Sequence, residues 1–164
     1  MKRWPLVLSI ILILLGVIGL IVINFFYFRP FSIRRGGYRR APGYLSRDFK
    51  TNGEQIYFTG ISRKGSVSFS GGPMWFQMHG GGCVDCHGVD GKGGRITTMM
   101  GNFTAHDIRY KTLVNEDPPF NIKSIKRAIT KGRDQKDESL DPNMPKWNMS
   151  DEDLNDVIKF LKTL

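Results

Sequence analysis

The run Cys83-Val84-Asp85-Cys86-His87 constrains this chain more than any other feature, because it holds both of the chain's cysteines. Two thiols three positions apart can each add to one vinyl group of a single porphyrin. The adjoining His87 is then held beneath the iron as an axial ligand, so the pattern reads as covalent attachment of one haem c. A thioredoxin-like dithiol also uses CxxC, but the βαβ surroundings it needs are missing here. Half a zinc site is a second rival. A structural zinc needs four ligands, and His79 and His106 are the only other histidines. Gly88, Gly91 and Gly93 continue the run as CHGxxGxG, which strengthens the haem reading.

The N-terminus imposes a second constraint. From Leu6 to Ile23 the chain is apolar or small, interrupted by Ser9, Gly16 and Gly19. At about 1.5 Å per residue such a segment reaches roughly 27 Å, close to the ~30 Å hydrocarbon core of a bilayer. Trp4 before it and Phe25, Phe26, Tyr27 and Phe28 after it stand where interfacial aromatics belong. A cleavable signal peptide would need a small-residue cleavage site, and these bulky aromatics oppose one. Residues 1–28 are therefore expected to form a single-pass transmembrane anchor.

The formal charge of +9 raises the question of nucleic acid, and its distribution answers it. Lys2, Arg3, Arg29, Arg34, Arg35, Arg39 and Arg40 lie around the apolar segment, and no acid precedes Asp48. Residues 41–164 hold 17 basic against 15 acidic side chains, a balance of only +2. A nucleic-acid module would concentrate charge on its folded face. This pattern suits anionic headgroups or an acidic partner instead, and no nucleic-acid partner is expected.

Pro30, Gly36, Gly37, Pro42 and Gly43 make residues 29–45 a basic linker. A short helix is expected over Ser46 to Phe58, with Phe49, Ile56 and Tyr57 facing a core and Gly53 kept for close packing. Nine of the 19 glycines fall between Gly71 and Gly94, interleaved with aromatics, which predicts loop with a hairpin near Val67 to Phe69. Ile122, Ile125 and Ile129 predict a second helix over Asn121 to Lys131, stopped by Gly132. The closing helix has Ser150 as N-cap, Asp153 completing a capping box and Met149 at the staple position. Leu154, Val157, Ile158, Leu161 and Leu164 form its apolar stripe. Helices outnumber strand signals, so the expected fold class is mostly α.

On these residues the chain resembles the class I c-type cytochromes, especially membrane-anchored bacterial monohaem ones. GEQIY (Gly53 to Tyr57) is similar to the family's first helix, and CVDCHGVDGKG (Cys83 to Gly93) to its haem motif. MPKW (Met144 to Trp147) resembles the axial-methionine segment. SDEDLNDVIKFLKTL (Ser150 to Leu164) resembles the closing helix, with Phe160 in the aromatic slot facing the first helix. The resemblance implies a helical domain over residues 46–164 around one covalent haem, with Cys83 and Cys86 attached to it. It implies His87 and Met144 as the iron's axial ligands.

Position alone leaves other sulfurs open, since Met74, Met78, Met99, Met100 and Met149 offer the same atom, and His79 or His106 would give a bis-histidine site. Two departures stand out. Phe58 and Cys83 are separated by 24 residues where the family has few, so about 59–82 is an insertion. Trp75 and Phe76 within it either touch the porphyrin or form a small satellite core. The Gly-Pro-Leu-like segment that usually supplies a carbonyl to the ligand histidine is replaced by Arg95 to Met100, leaving that acceptor unassigned.

The resemblance implies a carrier of single electrons rather than an enzyme, either a tethered shuttle or a subunit of a respiratory membrane complex. A haem sensor or peroxidase-like enzyme is the alternative if the methionine is absent or labile. Haem attachment in that family occurs outside the cytoplasm, so the domain is expected on the periplasmic face of the cytoplasmic membrane. The arginines after the anchor argue for the opposite orientation; the attachment chemistry is the more specific constraint.

Overall fold

A computed structural model describes residues 13–19, 47–99 and 101–164, and the chain divides into two units, Met1–Gly37 and Tyr38–Leu164. In the first unit residues 13–19 are helical (α1), with Ile13, Leu14 and Leu15 exposed. This corrects the expected transmembrane helix: no helix among the described residues is long and apolar enough to cross a membrane. The rest of residues 1–28, and the linker at 29–45, lie outside the described residues.

The second unit begins with α2 (Asn52–Thr59), shorter than the helix expected from Ser46. Its start is fixed by hydrogen bonding. Thr51 accepts from the Glu54 N–H at 3.1 Å. The Glu54 carboxylate in turn takes the Lys50 N–H at 2.8 Å and the Arg47 guanidinium at 2.9 Å. These bonds use the free donors of the first turn and leave Lys50 outside it. α2 packs across α7 (Asp151–Leu161). Gly53 is needed at this crossing, because a side chain there would strike the Asp156 carbonyl. Asn52 ties the same two helices, donating to Asp153 at 2.9 Å and to Asp156 at 3.1 Å. The Phe160 ring lies 5.1 Å from that of Tyr57.

α7 buries Leu154, Val157, Ile158 and Leu161, while Leu164 lies past its end. Ser150 caps it as expected, accepting from the Asp153 N–H at 3.1 Å. The Asp153 side chain does not complete a capping box. It accepts from the Ser150 hydroxyl at 2.9 Å and from Asn52. The box occurs instead on α6 (Ile122–Lys131), between Asn121 and Ser124. Ile125 and Ile129 of α6 are buried as the periodicity predicts, but Ile122, on the first turn, is 39% exposed.

The mostly α expectation is also corrected. Six strands among the described residues pair into three two-stranded antiparallel sheets. β1 (Ile61–Ser62) and β2 (Gly65–Ser66) form a small hairpin. β3 (Ser68–Ser70), where a local hairpin was expected, pairs instead with β6 (Lys146–Asn148), placing Phe69 opposite Trp147. β4 (Gly94–Thr98) and β5 (Gly101–Ala105) form a five-pair hairpin just beyond the Gly71 to Gly94 stretch expected as loop. Three short helices, α3 (Met74–His79), α4 (Val84–His87) and α5 (Tyr110–Leu113), complete the unit.

Candidate functional site

The one turn of α4 explains why the CxxCH spacing matters. Positions three and four apart share a helix face, so Cys83, Cys86 and His87 are presented together while Val84 turns into the core. The turn is closed by the His87 N–H donating to the Cys83 carbonyl at 2.9 Å. All three residues line a cavity of about 260 Å³. Its lining also includes Met144, Pro145 and Trp147, and Leu113, Ile125, Ile129 and Val157 give it apolar surface.

Burial sets the chemistry of each group. The thiols are not disulfide-bonded. Burial, reinforced by the neighbouring Cys86, pushes the Cys83 thiol up to about 12, and burial with Asp85 pushes Cys86 up to about 11. Reactive dithiols need a depressed thiol pKa, so this environment opposes the thioredoxin-like reading. Among the described residues no three His, Cys, Asp or Glu side chains cluster as metal ligands, so no partial zinc site is found there.

His87 lies 8% exposed, and burial holds its pKa below the usual imidazole value. Its Nδ1 is 2.7 Å from the His106 carbonyl oxygen. A carbonyl only accepts, so Nδ1 carries the proton and the neutral ring keeps an unprotonated Nε2. This bond supplies the acceptor that sequence reasoning left unassigned. His106 is positioned just after β5, and alternation across the β4–β5 pair (Ile96, Thr98, Phe103) was the signal available for that hairpin. The Tyr57 hydroxyl donates to the Gly88 carbonyl at 2.6 Å and fixes the chain beyond the motif. Burial raises the Tyr57 pKa, keeping that hydroxyl protonated.

The other candidate ligands separate only in part, because His106 and Met149 also line the cavity. The His106 ring turns to Glu116, 2.7 Å away, and is 64% exposed. Met74, Met78 and Met99 are exposed, and neither they nor His79 line the cavity. Met144 and Met149 both do, and Met100 lies outside the described residues. Phe76 of the insertion lines the cavity at 1% exposure, whereas Trp75 does not line it and instead meets Phe76 edge to face at 5.4 Å.

The donor set fits a covalently held haem: two thiols, an imidazole with a free Nε2 and a thioether line one largely apolar cavity. A family model described as Cytochrome c matches residues 69–164. No curated protein and no solved structure matches the chain.

Proposed function

The chain belongs to the cytochrome c family, whose members carry covalent haem c, and from that premise we propose a His/Met-ligated carrier of single electrons. Haem supplies the one-electron ferric/ferrous couple. In this reading Cys83 and Cys86 would hold the group through thioethers, and His87 Nε2 and the Met144 sulfur would ligate its iron. The observation that carries the reading is the lining of one cavity by all four residues. The His106 carbonyl orients the imidazole and strengthens it as a donor. A neutral thioether favours ferrous iron and so a higher potential. The apolar lining would limit water at the group, and with His87 and Met144 both ligating it no open position would remain for substrate.

Residues 46–164 form the haem domain in this proposal, with 59–82 as an insertion. We place it on the extracytoplasmic side of the cytoplasmic membrane, where haem attachment in the family takes place. Support for membrane association comes from the sequence, in the apolar run Leu6 to Ile23 and the arginines from Arg29 to Arg40. The partner is a redox protein of a respiratory membrane complex. The test is purification of the chain from its native membrane. Mass spectrometry is expected to find one haem that survives denaturation, and redox titration a reversible one-electron couple. A mass equal to the polypeptide alone, or rapid carbon monoxide binding by the reduced protein, would overturn the reading.

A further inference from the structure

The insertion is the feature that electron carriage leaves unused. It departs and returns at one place, since a side chain on Gly60 would strike the Gly81 carbonyl. Between these points the chain runs out to the segment that carries Met144 and back. Outside this contact that segment has few hydrogen bonds, although β6 also packs against α6. The Leu140 N–H reaches the Gly132 carbonyl at 2.9 Å, and Ser150 caps α7. Among the described residues, bonds to the adjoining Asp141 aside, each hydrogen bond that the structure gives between residues 142–149 and the rest of the chain comes from residues 68–72. The Gly72 N–H donates to the Pro142 carbonyl at 3.2 Å, two residues before Met144. β3 pairs with β6, two to four residues after it, and Asn148 donates to the Ser68 hydroxyl at 3.4 Å.

Side-chain packing closes the same clasp. The rings of Phe69 and Trp147 lie 5.3 Å apart, and Phe76 stands 4.9 Å from Phe69 and 5.9 Å from Trp147. Gly72 lies directly against Pro145, the neighbour of Met144. With φ at +83°, a Cβ there would sit 2.9 Å from the Pro145 Cγ.

We propose that residues 68–76 are a strap that positions Met144, holding its segment on both flanks so that the sulfur stays on the iron. This rests on the reading of Met144 as axial ligand. Gly72, Phe69 and Phe76 are positioning residues in this scheme. A strapped methionine is seldom off the iron, so an external ligand that binds only the vacated position pays that population as a loss of apparent affinity. Loosening the strap removes the loss.

The test uses imidazole binding to the ferric holoprotein together with the weak red-edge absorption band that reports a sulfur–iron bond. In Gly72→Val the clash with Pro145 is expected to tighten imidazole binding by about tenfold or more and to weaken the band, through the higher population of the open form. Gly72→Ala is expected to give a smaller change in the same direction, and it serves if the valine variant does not fold. Leu154→Ala loosens the α2–α7 core without touching the strap and is expected to lower the melting temperature with imidazole affinity unchanged. Met144→Ala separates the two ideas. If it abolishes the band while both Gly72 variants bind imidazole as the parent does, the strap is wrong and the ligand assignment stands. If Met144→Ala keeps the band, the ligand assignment itself is wrong.

Discussion

Two stretches that line the cavity, the histidine wall around Cys83 to Gly93 and the methionine wall around Met144, are built by opposite means. The histidine wall is assembled mostly from its own sequence. One turn of α4 presents Cys83, Cys86 and His87, and the Gly93 N–H folds back on the His87 carbonyl at 2.9 Å. From further away the His106 carbonyl, the Tyr57 hydroxyl and the Ile108 N–H, which donates to the Gly91 carbonyl at 2.8 Å, reach it. The methionine wall has little local structure beyond the Met144 N–H bonding to the Asp141 carbonyl, and it depends on residues far upstream; Ser68 and Asn148 are 80 positions apart. The first wall is therefore expected to survive damage elsewhere in the domain, and the second to respond to it.

The largest test of that contrast is Trp147→Ala. Trp147 is 5% exposed, lines the cavity and packs on Phe69 and Phe76. Emptying such a site costs about 3–5 kcal/mol. Thermal unfolding is expected to show that loss, and the sulfur–iron band to fade, while the protein still carries covalent haem. Tyr57→Phe probes the other wall. It removes one donor to the half-buried Gly88 carbonyl, which keeps the Gly91 N–H at 3.4 Å, a cost of about 0.5–1.5 kcal/mol. Denaturant titration is expected to show it with the band unchanged. Equal fading of the band in both variants would erase the distinction between the walls.

The smallest effect is an acid limb. Hydrogen bonds from Arg109 hold the Asp107 carboxyl down at about 2. A carboxyl with a folded pKa below its unfolded value of about 3.9 stabilises above that value, and the contribution is lost as pH falls toward the folded pKa. Asp107→Asn is expected to cost under about 1 kcal/mol at neutral pH, as a partly solvated surface pair should, and to flatten the fall in stability between about pH 4 and 2. Melting curves across that range check it.

The same contrast explains what was legible in the sequence. The CxxCH turn, the Ser150 cap, the Gly132 stop and the close packing at Gly53 are encoded within a few residues or in one side chain's absence, so pattern reading reaches them. β3 looked like half of a local hairpin because nothing in Ser68 to Ser70 announces a partner at Lys146 to Asn148. The backbone acceptor for His87 was hidden for a related reason: any residue has a carbonyl, and only the β4–β5 hairpin brings that of His106 to the ring. Asp153 was misread because a carboxylate at the third helical position has competing donors in Ser150 and Asn52. The apolar N-terminal run predicted a membrane-crossing helix, and no helix among the described residues meets that length.

The assignment of the second axial ligand is tested most directly by NMR of the reduced holoprotein with isotope-labelled methionine methyl groups. A methyl held over the porphyrin face is displaced far upfield by the ring current. One such signal is expected, and it should vanish in Met144→Ala while persisting in Met149→Leu. No displaced methyl, or one that disappears with Met149 instead, would contradict the assignment.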